Sequence, residues 1–317
     1  MTEMARIARF IGVRPRVPQD FVRDVDSGSV TGSRSRSSAA PSPELAEESD
    51  PMPTSIAIPS LPIARVKALS LVSNLEPSYD DLGAVVSADP ALTAAVLRAA
   101  NSAVSSPIAR LRTSRLAMVR LGIAETRRIV LAVALSSSFR GLRESGINQV
   151  EIWRHLIATA VVADALAWGE VNETEAFTAG LLHDLGRLAL AGADPERYFR
   201  VVQAARRAQS ASEAERELFG VDHCTFGEEI GRTWGFPSEI VEAIAEHHGS
   251  PERGVSWVVT KAREISGSLG IGDGVIDPEP LDPDSEAAAL PVIEDMGGSD
   301  AILRRVGWYQ GAMAAAA

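Results

Sequence analysis

Between residues 61 and 272 the chain repeats one pattern, an apolar stripe with helical spacing that starts after a capping residue and ends at a short polar connection. Asp89 and Pro90, for example, provide an N-cap and a first-turn proline for a segment whose Leu92 and Val96 fall on one face. No stretch shows the alternation of apolar and polar residues that a half-buried strand requires. Because short connections join neighbouring packed helices, the pattern predicts an all-α helical bundle.

The helical pattern divides the chain into three parts. Residues 1–58 are a mixture of Ser, Pro and charged residues without apolar periodicity, which predicts a disordered low-complexity tail because so little apolar surface can be buried. The helical domain spans 59–272, with a first lobe over 59–148 and a second lobe over 149–272. The remaining residues, 273–317, predict an acidic linker followed by a weak helix.

Composition excludes several classes of protein. The net charge of −11 argues against a general nucleic-acid binder, because attraction to phosphates needs a basic face. The longest apolar runs, 129–135 and 156–168, are shorter than the roughly 20 residues of a spanning helix, so we expect no membrane segment and a cytoplasmic location. The single cysteine, Cys224, excludes an internal disulfide and a cysteine-based zinc cluster. Any metal ion would therefore be bound by histidine and carboxylate side chains.

The histidines of the chain are confined to the second lobe. They are His155, His183, His223, His247 and His248. They fall on four different predicted helices or helix ends, and packing these around one axis would bring the imidazoles to one interior point, as in metal sites of helical bundles. Asp184 could bridge two ions or hold an imidazole in one tautomer, and Gly180, Gly186 and Gly227 would leave room for such a centre. The alternative is a set of separate core histidines, each with its own hydrogen bond.

A second concentration of one residue type lies in the first lobe. Between Arg98 and Arg143 the chain carries nine arginines and one acid, Glu125. This local excess of positive charge has two interpretations, which are docking of an acidic partner or phosphate-bearing ligand and an ordinary solvated helix face. The candidate partner-binding residues are Arg112, Arg115, Arg127 and Arg128.

The order and spacing of these segments resemble an HDOD domain, a divergent branch of the HD superfamily of metal-dependent phosphohydrolases. The first lobe contributes LPIARVKALSLV, SADPALTAAVLRAANSAV and AMVRLG, and the second contributes WRHLIATA, AFTAGLLHDLGRLAL, ELFGVDHCTFGEEIGRTWGFP and AIAEHH. The resemblance covers about 61–272 and implies a two-lobed, all-helical domain, in which HDOD-specific helices precede an HD-like lobe. It also implies a bacterial regulatory or scaffold module that contacts other signalling proteins and does not hydrolyse a substrate.

Within this resemblance, one departure bears on chemistry. Superfamily members that hydrolyse phosphate esters typically complete the metal site with an aspartate on the last core helix, where this chain aligns Arg263, or Glu264 if the helix is shifted by a few residues. A guanidinium cannot bind a cation, and the resemblance therefore implies a degenerate site in which Arg263 pairs with Asp184. The residues of that site are His155, His183, Asp184, His223, His247, His248 and Arg263.

The degenerate site requires no cofactor, but it leaves room for a residual divalent ion (Mn, Fe or Zn). Its candidate ligands are His183, Asp184, His223 and His247. The alternative function is a metal-dependent phosphohydrolase that acts on a nucleotide or cyclic nucleotide. The cyclic-dinucleotide phosphodiesterases of the HD-GYP branch are a poor match, because HHGSPERG stands where a Gly-Tyr-Pro segment would follow. The sequence does not indicate whether the protein forms oligomers.

Overall fold

The computed structural model describes residue 56 and residues 68–74, 76–102, 110–139, 142–167, 171–207, 209–277 and 281–314. These residues form helices and connections and contain no strand, which confirms the predicted all-α fold. The predicted tail, 1–58, lies outside the described residues except for Ile56.

Short capped helices build the first lobe. They are a 3-10 helix (Ser70–Val72), α1 (Tyr79–Ser87), α2 (Pro90–Ala100), α3 (Ser114–Leu121) and α4 (Ile123–Ser138). Ser78 and Asp81 form a reciprocal capping box at the start of α1. At the start of α2, Asp89 accepts a hydrogen bond of 2.7 Å from the Ala91 amide, as the capping pattern predicts. The chain therefore begins these helices at positions that can be identified from local sequence.

Longer and more deeply buried helices build the second lobe. They are α5 (Gln149–Leu166), α6 (Glu173–Leu182), α7 (Leu185–Ala193), α8 (Pro195–Ala205), α9 (Ala211–Phe219), α10 (His223–Thr233), α11 (Ser238–Glu246) and α12 (Gly254–Ser268). Helix α5 is central and packs against α6 and α12, while α10 packs against α7 and α11. This arrangement brings the ends of α6, α10 and α11 to the middle of α5.

Two further helices, α13 (Pro283–Asp295) and α14 (Ser299–Met313), follow the second lobe. Helix α14 returns to the first lobe and packs against α2, α4 and α5. Its Tyr309 is buried, and Trp308 Nε1 donates to Ser102 Oγ at 2.8 Å. The prediction of an acidic linker with one weak helix is therefore wrong for this part of the chain. The sequence segment looks polar in isolation, and its stability comes from distant partners.

No single described helix is long and apolar enough to cross a membrane. Taken together, α1 and α2 meet the length and composition of such a span, but a bend of 119° separates them.

Arg127 lies in the core between the lobes, with 1% of its surface exposed. Its guanidinium donates to the carbonyls of Leu71 and Asn74, at 2.6 and 3.1 Å, and to Thr178 Oγ1 at 3.0 Å. Burial, together with the nearby charge of Arg128, lowers the pKa of Arg127 to about 10. The prediction that Arg127 binds a partner is wrong, because every one of these contacts is internal.

Arg128 is also buried. Its Nη1 donates to Glu125 Oε1 at 2.6 Å, and Nη2 forms a short ion pair with Asp164 on α5. Burial would lower the pKa of Arg128, but the two carboxylates raise it above its ordinary value. Arg128 therefore joins α4 to α5 and, like Arg127, is not a partner-binding residue. Of the four predicted arginines, Arg112 and Arg115 are exposed.

Candidate metal centre

Four helix segments carry the histidines to one place. His155 lies within α5, His183 and Asp184 occupy the break between α6 and α7, and His223 is the first residue of α10. The remaining two histidines directly follow α11. The rings form a continuous chain of contacts, with centroid distances of 5.0 Å for His155–His183, 4.9 Å for His183–His247, 5.3 Å for His223–His247 and 4.4 Å for His247–His248. The structure thus gathers all five imidazoles into one cluster.

Three of these rings are held by their outer nitrogen. His183 Nδ1 lies 2.8 Å from Gly180 O, and His247 Nδ1 lies 2.8 Å from Ile244 O. A carbonyl oxygen only accepts, so each Nδ1 carries a proton and each Nε2 faces the cluster. His223 is held in the same way, by a carboxylate. Such outer hydrogen bonds are typical of histidines that bind metal ions.

Glu215, on α9, is the carboxylate that orients His223. Its Oε2 lies 2.5 Å from His223 Nδ1 and 2.9 Å from the His223 amide, and Tyr198 donates to Oε1 at 2.6 Å. Burial would lower the pKa of His223, but the charge of Glu215 raises it to about 10. Glu215 is not among the site residues predicted from sequence, because its role depends on its proximity to His223 in space.

Asp184 Oδ1 lies at the centre of the cluster without a hydrogen bond, although the residue is 2% exposed. It is 3.4 Å from His223 Nε2 and 3.4 Å from His247 Nε2, both of which face it with their inner nitrogens. The pKa values of His223 and His247 are raised, so in the metal-free chain a proton on these imidazoles faces the oxygen, and a metal ion would take the place of that proton. The donor set therefore fits one bound cation at this point.

The ligand atoms fall into two groups, within each of which all atoms lie within 4.8 Å of one another. One group comprises His155, His183 and Asp184, and the other comprises His223, Cys224, His247 and His248. The His155 and His183 Nε2 atoms are 3.0 Å apart, as expected if one ring donates to the other. Burial lowers the pKa of His155 to about 4, so this ring is neutral.

Arg187, on α7, is the cation next to Asp184. Its Nη1 lies 3.6 Å from Asp184 Oδ2 and 2.6 Å from Asp273 Oδ2, and the residue is 1% exposed. Burial would raise the pKa of Asp184, but Arg187 and the histidines hold it well below its ordinary range. Its Nη2 also lies 3.5 Å from His223 Nε2, so the guanidinium borders both the Asp184 carboxylate and the inner nitrogen of His223.

The expected pairing of Asp184 with Arg263 is replaced by this pairing with Arg187. Arg263 is half-buried, and its charge contributes to the lowered pKa values of His155 and His248, after burial as the largest cause. No ion pair within 4.0 Å joins it to Asp184 in the described part of the chain. Glu264, the alternative carboxylate, pairs with Lys261 at 2.8 Å. Arg187 was overlooked because a basic residue three positions after Asp184 carries no distinctive pattern.

Cys224 is a second residue of the site that the sequence pattern does not predict. Its Sγ lies 4.0 Å from His247 Nε2, and the side chain is half-buried. Burial would raise the pKa of the thiol, but hydrogen bonds from His223 and His247 lower it to about 6. The set of candidate ligand groups, which we expect from sequence to be histidines and carboxylates alone, therefore also contains one thiol.

Glycines allow the helices of the cluster to approach closely. A Cβ on Gly186 would lie 2.0 Å from His223 O and 2.6 Å from Gly227 N. A Cβ on Gly180 would lie 2.8 Å from Ala160 Cα, on α5. These glycines therefore set the separation between α7 and α10 and between α6 and α5. Their effect is to let the helix backbones that carry the ligands pack closely, whereas the sequence predicts that they leave room around the ligand side chains.

A family model described as the HDOD domain matches residues 58–250 of the chain. An uncharacterized protein of Treponema pallidum (strain Nichols) is 24% identical over 198 residues, which make up 61% of this chain and 38% of that protein. The chain thus corresponds to less than half the length of this curated relative.

Solved structures of bacterial proteins share the fold. An HDOD domain protein of unknown function from Geobacter sulfurreducens has a TM-score of 0.59 at 23% identity, covering 75% of this chain and 84% of that one. A protein of Shewanella amazonensis SB2B, whose name suggests a phosphohydrolase, has a TM-score of 0.61 at 24% identity, covering 82% and 95%. A protein of Marinobacter aquaeolei VT8, whose name suggests signal transduction, has a TM-score of 0.64 at 23% identity, covering 80% and 60%. At these identities the likeness establishes the fold.

Proposed function

The chain belongs to the HDOD family, and on that premise we propose that it is a signalling module that acts through protein contacts and does not hydrolyse a phosphate ester. The observation that carries this proposal is the guanidinium of Arg187, 3.6 Å from Asp184 Oδ2. Two-metal hydrolases place their ions about 3.5–4 Å apart on a shared carboxylate. Arg187 lies where the second ion would have to bind Asp184, and its positive charge opposes that ion.

Access to the cluster supports the same proposal. His183, His223 and His247 have no exposed surface, and Asp184 is 2% exposed. Of the clustered histidines only His248 is exposed, so a phosphate ester would meet the rim of the cluster before any of its inner ligands. A module that presents a surface to partners needs the fold but not an open site.

A surface on α3 supports docking of an acidic partner. Arg112, just before α3, and Arg115, on α3, are exposed, as are Leu116 and Val119, at 53% and 61%. Exposed apolar side chains with arginines around them are typical of protein interaction surfaces. We therefore retain Arg112 and Arg115 as partner-binding residues, without the two buried arginines.

Docking is tested by charge reversal of Arg112 and Arg115 together. We expect capture of the native partner to weaken, more strongly at low salt than at high salt, while the melting temperature is unchanged. Arg232→Glu, on the exposed face of α10, is the matched control and should leave capture intact. Equal capture by the double variant at low salt would reject this surface.

Absence of hydrolysis is tested with the full-length protein, bis(p-nitrophenyl) phosphate and a panel of cyclic nucleotides, each with Mn²⁺, Fe²⁺ or Zn²⁺. We expect the phosphodiesters to be hydrolysed no faster with the protein than in buffer that contains the same ion. Turnover that His183→Ala abolishes, and that Arg115→Ala leaves unchanged, would overturn the non-catalytic proposal.

A metal-dependent phosphohydrolase is the second candidate function, and the unbonded Oδ1 of Asp184 favours it. A divalent ion, when bound there, supplies Lewis-acid activation of water and of a phosphoryl oxygen. Asp184, His223 and His247 would hold the ion, and Glu215 would keep His223 in the tautomer that binds it. Arg187 and Arg263 would then attract the phosphate oxygens. The hydrolysis assay above distinguishes this candidate from the first.

A further inference from the structure

We infer that Cys224 joins His223, His247 and His248 in a mononuclear site for a thiophilic divalent ion, with Zn²⁺ as the preferred occupant. The inference rests on the capacity of this cluster to hold one cation, as argued above, and it holds whether or not the protein hydrolyses a substrate. It changes the ligand set from histidine and carboxylate alone to histidine and thiolate.

The positions of the four ligand atoms carry the inference. Cys224 Sγ is 4.0 Å from His247 Nε2, His248 Nε2 is 3.1 Å from His223 Nε2, and all four atoms lie within 4.8 Å of one another. Zinc–nitrogen bonds of about 2.0–2.1 Å and zinc–sulfur bonds of about 2.3 Å give tetrahedral ligand separations of about 3.3–3.6 Å. Movements of about 1 Å therefore complete the tetrahedron. The least buried members, Cys224 and His248, have the most freedom to move.

Two of the ligands are already oriented. Glu215 holds His223 by Nδ1, and the Ile244 carbonyl holds His247 by Nδ1, so that both Nε2 atoms face inward. His248 Nε2 faces His223 Nε2, and a cation between these nitrogens satisfies both. Preorganised ligands reduce the entropy that binding would otherwise cost.

Asp184 is an independent observation that points to a cation at the same place. Its Oδ1 is buried, makes no hydrogen bond and lies 3.4 Å from the Nε2 atoms of both His223 and His247. An anionic oxygen beside two ligands of the proposed site attracts a cation bound between them. The cysteine is thus not an isolated feature but one side of a space that a carboxylate oxygen without a hydrogen bond also faces.

The ligand types select the ion. Thiolate and imidazole ligands favour Zn²⁺, whereas Mg²⁺ and Mn²⁺ prefer carboxylate and water oxygens. Among the described residues, Asp184 is the carboxylate that faces the inner nitrogens, since Glu215 is engaged by the outer nitrogen of His223, and the Oδ2 of Asp184 faces Arg187. The same guanidinium opposes a second ion, which is why the site is mononuclear.

The test uses the full-length protein, stripped of metal by chelation and then titrated with Zn²⁺ or Co²⁺. We expect one Zn²⁺ per chain and, with Co²⁺, the thiolate-to-metal charge-transfer absorption that a cysteine ligand produces. Cys224→Ser should remove that absorption and weaken Zn²⁺ binding about tenfold or more, because even residues that only orient metal ligands contribute about 10–100-fold to affinity. Thr225→Ser, on the exposed neighbouring position, is the matched control and should leave both readouts unchanged.

The outcomes distinguish the presence of a cation site from the role of Cys224 as one of its ligands. No Zn²⁺ or Co²⁺ binding by the wild-type chain would reject the cation site itself. One bound ion without the charge-transfer absorption, or with equal affinity in Cys224→Ser, would reject Cys224 as a ligand and leave a histidine and carboxylate site in place. The wild-type Co²⁺ spectrum decides the role of the thiol even if the serine variant does not fold.

Discussion

Tyr309 Oη donates a hydrogen bond of 2.6 Å to Glu125 Oε2, although 184 residues separate the two positions. Both residues are buried, and Arg128 and Arg305 pair with the other carboxylate oxygen of Glu125, at 2.6 and 3.0 Å. Glu125 belongs to α4 and Tyr309 to α14, so a single carboxylate joins the first lobe to a helix that follows the second lobe. This hydrogen bond makes α14 part of the domain.

Tyr309→Phe should lower the free energy of unfolding by about 1.5–3 kcal/mol, because it removes a hydrogen bond to a buried charge and keeps the ring. Chemical denaturation measures the change. Tyr79→Phe is the control, since Tyr79 is 43% exposed, and should change stability by less than about 0.5 kcal/mol. Equal stability of wild type and Tyr309→Phe would mean that α14 does not depend on this contact.

Acid should destabilise the protein partly through Glu125. Burial would raise the pKa of Glu125, but Arg305, Arg128 and the Tyr309 hydroxyl hold it below its ordinary value of 4.5. The stabilisation by a carboxylate with a lowered pKa is complete above pH 4.5 and is lost as the pH falls through the folded-state pKa. Glu125→Gln should therefore show a shallower loss of stability below pH 4.5 than the wild type, and parallel curves would contradict this role.

Arg187→Ala should destabilise the metal-free protein by about 3–5 kcal/mol, because it leaves the carboxylates of Asp184 and Asp273 without their buried cation. Arg263→Ala is the matched variant and should cost about 1 kcal/mol or less, since Arg263 makes no ion pair with Asp184. Denaturation in the presence of a chelator measures both. The reverse order would show that Arg263 is the main partner of Asp184 in solution.

Arg127→Ala should cost about 3 kcal/mol or more, since it leaves the buried carbonyls of Leu71 and Asn74 without donors. Arg127→Lys should recover only part of this loss, because an ammonium group lacks the planar fork that reaches both carbonyls. Arg112→Ala, on the surface, should stay within about 0.5 kcal/mol of wild type. Thermal melting distinguishes the three variants, and a harmless Arg127→Ala would place this side chain outside the core.

Gly186→Ala should reduce both stability and Zn²⁺ affinity, although it changes no ligand. The added Cβ would lie 2.0 Å from His223 O, so α7 and α10 would have to separate and carry Asp184 and His223 apart. Gly267→Ala is the control, because a Cβ there meets nothing within 4 Å, and it should stabilise α12 by about 0.5–1 kcal/mol. Unchanged Zn²⁺ affinity in Gly186→Ala would show that the centre tolerates this displacement.

Features that depend on local sequence could be predicted. The capping of α2 by Asp89 is visible because cap and helix are adjacent in the chain. The concentration of all the histidines on the helices of one lobe also indicated a shared centre, since bundle helices place their inward residues on one axis. The full set of residues at that centre was harder to predict, because the roles of Glu215 and Cys224 depend on their proximity to His223 and His247 in space.

Long-range partners account for what could not be predicted. Arg127 and Arg128 precede a run of apolar residues, yet the groups that justify their burial, Leu71, Thr178 and Asp164, lie 36 to 56 residues away. Helix α14 likewise looks weak in isolation because its stabilising acid, Glu125, belongs to another lobe. The same holds for Arg187, whose partner Asp273 is 86 residues further along the chain.

The separation between Glu125 and Tyr309 also sets a delay during biosynthesis. A ribosome that adds about 5–20 residues per second needs roughly 10–40 s to translate the 184 residues between them. Throughout that interval the nascent first lobe carries the Glu125 carboxylate, but two of its partners, the Tyr309 hydroxyl and the Arg305 guanidinium, have not yet been synthesised. The edge of α4 that later receives α14 is therefore open to water, to chaperones and to proteases until α14 has been translated, so the first lobe finishes folding after the second lobe has been made.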